Sequence, residues 1–454
     1  MIRKIIAIIT LVVGFSTYAS ATLTPEELSL LGGDKLTAIG AEKAGNADGT
    51  IPPYTGGLTD KMGYSIDDLR TKMLIDPFAD DKILYSIDSK NMDQYSEKLC
   101  PSLKMLMTKY PEFRVDVYPT RRSVAIPDYI AEGTKKSALT ATLENDDKKL
   151  TGSFCGFPFP IPKTGVEALW NHILRWCAPG EELMEYTGWV ITSSGRKIMT
   201  SRAKNYCEYP YWNPSASDFK KKYHWMDHDI VFAPANRAGE GLMWFLGTDK
   251  TNGDPAWQYL PGQRRVKMAP EISYDGPNTT VAGAATYDDT FLFTGSPDRY
   301  DWKILGKKEM IVPYNSYNAA IHPTLESVDQ YIGPRFVNPD CNRFEVHRVW
   351  VIEGALKPGK RHIYGRRTLY LDEDSWTALM TDEYDQRDEL YRAVFSAFTF
   401  NYVTQAPYST TFYGYDFVSG VYWWNVFLIG PNLYPLIRPD SDWNPQTLAG
   451  TGIR

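Results

Sequence analysis

Positive charge is in short supply: 49 Lys and Arg stand against 55 Asp and Glu in 454 residues, a formal net charge of −6. Nucleic-acid binding needs clustered Lys and Arg to neutralise phosphates, so this mild acidity argues against a nucleic-acid partner. Cysteine is scarce as well. Cys100, Cys155, Cys177, Cys207 and Cys341 include no CxxC spacing, which argues against a redox motif or a zinc knuckle. Their odd number leaves at least one thiol free, and room for one or two disulfides whose pairing cannot be read. Past the first fifteen residues, no uninterrupted apolar stretch reaches the roughly 20 residues that a membrane span requires. The chain also lacks a GxSxG elbow, an HExxH pair, a fixed-period repeat and any low-complexity tract. Aromatic residues, by contrast, are plentiful at 14%, with 30 Tyr and 13 Trp. Such side chains bury a large area each, and they build either a big core or an internal surface for apolar or sugar ligands.

The first residues read as a leader. Arg3 and Lys4 precede an apolar run from Ile5 to Phe15, and Ala19-Ser20-Ala21 supplies a small-residue cleavage signal. Residues 1–21 are therefore expected to be a signal peptide, with an exported, soluble mature chain beginning at Thr22. No cysteine follows the cleavage signal to carry a lipid. One sheet-based domain is expected over 22–454, with an arm and helices to about 180 and a strand meander over about 183–430.

Local patterns support that division. Thr24-Pro25-Glu26-Glu27 combines a capping box with Pro at the first helical position. Pro101 to Lys109 and Pro127 to about Leu143 read as further helices. Gly156-Phe157-Pro158-Phe159-Pro160-Ile161-Pro162 has too few amide donors for helix or central strand, and predicts an extended arm whose phenyl rings plug a groove. Thr164 and Glu167 form a second capping box. Val166, Leu169, Trp170, Ile173 and Leu174 then trace one buried stripe, with Glu167, Asn171, His172 and Arg175 on the other side. From Leu183 the period changes to two. Met184 to Thr192 and Lys197 to Tyr206 make a hairpin, and short strands follow, including Ile230 to Ala233, Leu242 to Leu246, Gln258 to Leu260 and Tyr287 to Phe293. Ile363 to Asp372, Trp376 to Tyr384 and Leu390 to Tyr402 form a tight meander, and Phe412 to Phe427 a last aromatic hairpin.

Chemistry-bearing clusters are few. His224 and His228 would share a face if their segment were helical, but no metalloprotease glutamate accompanies them, and no metal or other cofactor is expected. Asp288-Asp289 and Asp372-Glu373-Asp374 offer paired carboxylates of the kind that a glycan hydrolase uses. Acidic turn residues flanking strands are the plainer reading. Arg264 and Arg265, after Tyr259-Leu260-Pro261-Gly262-Gln263, would either cap a solvated hairpin or meet an anionic headgroup at a pocket rim.

Several long motifs in order resemble the DUF1329 family. They are the Gly156–Pro162 arm with Glu167-Ala168-Leu169-Trp170-Asn171-His172, Trp257 to Val266, Ala285-Thr286-Tyr287-Asp288-Asp289, Gly295 to Lys303, and Tyr370 to Trp376. The resemblance implies an exported Gram-negative protein similar to outer-membrane lipoprotein-sorting proteins. It further implies a LolA/LolB-like α+β fold: a large curved antiparallel sheet, an incomplete barrel, covered by helices around a dry hollow. It hints at traffic with a transporter of the resistance-nodulation-division (RND) type, and it brings no catalytic residue.

The expected function is a non-catalytic periplasmic binding or carrier protein for a lipid or other hydrophobic small molecule. It would serve outer-membrane lipid or lipoprotein traffic with an RND-type transporter or an outer-membrane protein. Trp244, Trp257, Tyr259, Phe291, Phe293 and Trp350 are the expected lining residues, with Arg264 and Arg265 at the rim. A glycan hydrolase using paired carboxylates, and an outer-membrane assembly factor binding protein partners, are the alternatives.

Overall fold

The computed structural model describes residues 23–451, apart from 271, 273 and 431–433. The expected leader and its cleavage site lie outside the described residues. Two antiparallel meanders build one open sheet of fifteen strands. The first runs Gly180–Ile191, Lys197–Glu208, Tyr223–Ala233, Gly241–Gly247, Ala256–Leu260 and Arg265–Met268, each strand pairing with the next. The second runs Tyr300–Pro313, Phe344–Leu356, Arg366–Asp372, Ala378–Tyr384, Leu390–Ser396, Phe412–Asp416 and Tyr422–Leu428. They are stitched where Tyr422 lies opposite Ile191 and Leu428 opposite Tyr186. Two short strands, Val115–Val117 and Tyr85–Ile87, extend the far edge.

Period-2 alternation sorts side chains onto two faces, and both faces are covered. On Arg366–Asp372, Leu369 and Leu371 join one apolar cluster while Tyr370 joins the other. One cluster takes in Leu103, Leu106 and Met107 of helix Pro101–Lys109, together with Tyr314, Tyr317 and Phe398. The opposite cluster takes in Phe157 and Phe159 of the proline-rich arm, then Leu169, Trp170 and Ile173 of helix Gly165–Ile173. Burying those last three side chains stabilises that contact by roughly 5–9 kcal/mol as an upper bound.

The start of this helix is fixed by its sequence. Thr164 Oγ1 accepts the Glu167 amide at 3.3 Å, but the Glu167 carboxylate accepts the Lys163 amide at 2.5 Å, so the expected reciprocal box closes one residue early. The polar side of the helix is not solvated. Asn171 is fully buried and clamps the arm, accepting from the Phe159 amide at 3.0 Å and donating to the Phe159 carbonyl at 2.6 Å. His172 accepts the Ala378 amide on Nδ1 at 3.0 Å, so its Nε2–H donates to the Phe293 carbonyl at 3.1 Å. Burial holds its pKa down to about 3, which keeps that tautomer neutral.

One expected strand is absent. Tyr287–Leu292 is a 3-10 turn that reverses the chain, capped reciprocally by Thr286 and Asp289. Phe291 and Leu292 take left-handed φ values of 53° and 72°. Asp288 and Asp289 reach Arg367 while Phe291 lines a cavity, a separation made by the turn and not by strand alternation. The five cysteines are all buried, unpaired thiols.

Candidate functional site

The first meander curves over a cavity roofed by the segment around Tyr287–Phe291. It offers about 60 Å³ to the centre of a water molecule, within about 530 Å³ of atom-free space that includes its mouth. A water needs at least about 10–15 Å³ of such space, so a few ordered waters fit and an acyl chain does not without movement. The hollow expected beneath the lid is thus largely filled by the protein's own rings. Aromatic density in the sequence reports both the wall of such a space and its filling.

Five of those rings meet edge to face or tilted. Trp225 lies 5.4 Å from Trp244 and 5.1 Å from Phe291, Trp244 lies 5.9 Å from Tyr287, and Phe291 lies 6.1 Å from Phe412. Phe291 also borders a second small void shared with Ile173, Arg175 and His224. The Arg175 guanidinium stacks on that ring at 3.9 Å. Phe291, like Trp225, therefore borders both spaces.

The cavity has a polar side that the sequence reading missed. Trp225, Asp227 and Asp229 alternate along Tyr223–Ala233 and face it, as do Asn205 and Cys207 on the neighbouring strand. Asn205 Nδ2 donates to Asp227 Oδ1 at 2.5 Å and to Asp229 Oδ1 at 2.9 Å. The Tyr186 hydroxyl donates to Asp229 Oδ1 at 2.8 Å. Burial pushes the Asp227 carboxyl well up, reinforced by the charge of Asp229, and burial also raises Asp229. Arg237, the guanidinium whose field eases Asp229, is itself bonded to Glu240 at 2.8 Å. Three further polar atoms on wall residues, Trp225 Nε1, Trp244 Nε1 and Asn425 Oδ1, are buried without a hydrogen-bond partner. The signal was legible in principle: two aspartates at i and i+2 on a strand whose same face carries Trp225.

The expected lining residues divide by strand parity. Trp244 and Phe291 line the cavity. Gln258 lies opposite Leu242 and Ala256 opposite Trp244, so Trp257 and Tyr259 fall on the other face, where they pack with Met243, Phe245 and Trp443. Phe293 packs against Trp302 at 5.2 Å, outside the cavity, and Trp350 stacks on Trp376 at 5.8 Å. Arg264 and Arg265 are exposed at the hairpin after Leu260. None of these last six meets the cavity wall.

The acidic clusters weighed for catalysis are held in ion pairs. Arg367, fully buried, donates to Asp288 at 2.7 Å and to Asp289 at 3.0 Å, and its Nε lies 2.9 Å from Glu383. His362 Nε2 lies 3.0 Å from Asp288. Asp374 accepts two bonds from Arg122, at 2.8 and 2.6 Å, while Glu373 meets Lys307 at 3.0 Å. His347, Asp372 and Asp374 bring potential metal-ligand atoms within 4.8 Å of one another. His347 Nε2, however, faces Glu345 at 3.0 Å, and both Asp374 oxygens are engaged by Arg122, so few lone pairs remain for a cation. His224 and His228 lie on a strand. The former borders the void beside Arg175, and the latter sits 6.1 Å from the Tyr206 ring.

Comparison with known proteins completes the site's description. The profile of the family described as protein of unknown function (DUF1329) matches residues 86–449. An uncharacterized protein of Pseudomonas aeruginosa, PA3922, is 37% identical over 454 residues, covering 97% of this chain and 96% of that one. Among solved structures, a putative outer membrane lipoprotein-sorting protein domain from Vibrio parahaemolyticus overlaps 62% of this chain and 96% of its own, at 15% identity and a TM-score of 0.42. A DUF1329 family protein from Desulfovibrio piger gives 62%, 95%, 15% and 0.42 in the same order. A LolA superfamily protein from Nitrosomonas europaea gives 62%, 98%, 10% and 0.37.

Proposed function

The chain belongs to the DUF1329 family, and since the description of that family assigns no activity, we propose from the cavity that it is a periplasmic binding or carrier protein for a lipid-like hydrophobic ligand. The observation that carries this reading is the aromatic cavity between the curved meander and the Tyr287–Phe291 roof. Its wall is mainly apolar, and each CH2 that a ligand buried there would contribute about 0.8 kcal/mol. Entry requires the Phe291 ring to swing aside and join the two spaces it borders. A left-handed phenylalanine costs of order 1–3 kcal/mol, which lowers the work of moving it. The leader-like N-terminus supports the periplasm as compartment. An RND-type transporter or an outer-membrane protein would then be the partner that loads or empties the cavity. Hydrolysis by paired carboxylates draws less support, because Asp288, Asp289 and Asp374 are neutralised by arginines away from the cavity.

Solvent extraction of protein purified gently from periplasm, followed by mass spectrometry, tests the reading. A bound amphiphile at near-stoichiometric yield is the expected result. Its absence, together with no displacement of the neutral fluorophore N-phenyl-1-naphthylamine by alkyl compounds, would sink it. Phe291→Ala, which enlarges the space, is expected to tighten fluorophore binding about tenfold, roughly 1.4 kcal/mol.

A further inference from the structure

We propose that the cavity recognises the polar end of its ligand as a protonated amine; this deepens the carrier reading and rests on it. Two carboxylates sit on the wall of an apolar space, and among the described residues no Lys or Arg forms an ion pair with either. Asn205 and Tyr186 supply neutral hydrogen bonds that hold the two groups in place without cancelling charge. Any negative charge carried by these carboxyls lacks a counter-ion, and a buried charge without one is costly.

An ammonium group meets each of these features. It brings the missing positive charge and three N–H donors, which the Asp227 and Asp229 carboxylates and Asn425 Oδ1 accept. Asn425 is only 4% exposed and its oxygen has no other partner. The rings of Trp225 and Trp244 border the same space, and aromatic faces attract a desolvated cation. Neither neighbouring guanidinium pairs with the acids: Arg237, whose field reaches Asp229, spends its bonds on Glu240 and on the Thr200 and Thr279 carbonyls, and Arg175 lies against the Phe291 ring. A carboxylate or phosphate headgroup would instead face two acids in a low dielectric, which is repulsive. The ligand class is therefore an amphiphile with an amine head and a short apolar body.

The test uses three eight-carbon probes that differ only at the head: octylamine, octan-1-ol and octanoate. Each displaces N-phenyl-1-naphthylamine from the purified mature protein at pH 7. Octylamine is expected to bind at least tenfold more tightly than octanol, with octanoate weakest, since a hydrogen bond involving a charged group is stronger than one between neutral groups. In the Asp227→Asn/Asp229→Asn double variant the amine-over-alcohol preference should collapse to within about twofold. Asn425→Leu, which leaves the acid pair in place, should reduce that preference severalfold and serves if the double variant does not fold. Equal binding of amine and alcohol, or a preference that survives these changes, overturns the inference while leaving the carrier reading intact. Failure of all three probes to bind overturns both.

Discussion

At the scale of single residues, the strongest commitments of this molecule are buried charges. Arg367 sits at 0% exposure among Asp288, Asp289 and Glu383, with His362 behind Asp288. Such a network adds little net stability compared with a packed apolar core, yet removing one member leaves the others unpaired. Arg367→Met should cost roughly 3–5 kcal/mol, read as a shift in the urea midpoint with the slope unchanged. A loss below about 1 kcal/mol would mean that the three carboxyls take up protons at no cost.

Asp372 makes a complementary case. Both the Tyr314 hydroxyl, at 3.1 Å, and the Ser375 hydroxyl, at 2.6 Å, donate to Oδ2, while Oδ1 has no partner. Burial first, then the charge of Asp374, pushes the Asp372 carboxyl up to about 7. The folded state thus holds a proton that the unfolded state releases near the ordinary carboxylate value. Its contribution to stability is full below that unfolded value and is lost as pH rises through about 7. Asp372→Asn should remove this loss, so stability relative to the parent should rise from pH 4 to 7 by up to about 1.4 kcal/mol per pH unit. Denaturation midpoints at pH 4.5 and 8 measure the difference. A constant gap between the two proteins would refute it. None of this was visible in the one-dimensional pattern: Asp372-Glu373-Asp374 reads as a turn, and only the fold brings Arg122 and His347 to it.

Elements were more legible than their faces. The hairpin Gly180–Ile191 with Lys197–Glu208 and the C-terminal meander follow from period-2 alternation broken by Gly, Asp and Ser. Helix Gly165–Ile173 follows from its cap and apolar stripe. Parity was not legible because alternation groups side chains by face, while only the pairing decides which face meets the cavity. Ala256-Trp257-Gln258-Tyr259-Leu260 looks as though its rings should face a ligand, but pairing with Gly241–Gly247 turns them to the opposite cluster. The Tyr287–Leu292 reversal was hidden for a related reason, since a bulky residue at positive φ leaves no mark in composition. Parity yields a direct prediction. Trp244→Ala should alter alkyl-probe affinity by fivefold or more, whereas Trp257→Ala should lower thermal stability and leave probe affinity within about twofold; half-buried Trp257 should cost less than the roughly 3–5 kcal/mol of Trp→Ala in a core. Equal effects on binding would contradict the assignment of faces.

Close approaches between elements carry similar weight. A Cβ on Gly133 would fall 1.9 Å from the Cys155 carbonyl oxygen, and one on Gly156 would fall 2.1 Å from the Gly133 carbonyl carbon. Helix Asp128–Thr140 and the proline-rich arm therefore touch backbone to backbone, which is what seats Phe157 5.2 Å from Trp212.

For the molecule as a whole, the question is which part yields first when a ligand enters. The second meander is buried on both faces and hydrogen-bonded along each strand, from Phe344–Leu356 to Tyr422–Leu428. The roof is made differently. Over 278–293 the described backbone bonds are single turns and bridges, such as the Tyr287 amide to the Gly276 carbonyl at 2.9 Å and the Asn278 amide to the Ala285 carbonyl at 2.9 Å. Few cooperative bonds and three left-handed non-glycine residues, Ala282, Phe291 and Leu292, place this segment at the low end of local stability. It is tied down at three places: Thr200, Ser201 and Arg237 donate to the Thr279 and Thr280 carbonyls, Arg367 grips Asp288 and Asp289, and His172 holds the Phe293 carbonyl. The short stretch between the Asp289 and Phe293 anchors, which carries Phe291, is therefore the part able to move without breaking the core. Hydrogen exchange should show amides of 278–293 opening well before those of 366–372 and 378–384, and a saturating alkylamine should slow the roof selectively. Uniform protection of roof and meander, with no change on adding the amine, would mean that the cavity never opens and that its few waters are its only occupants.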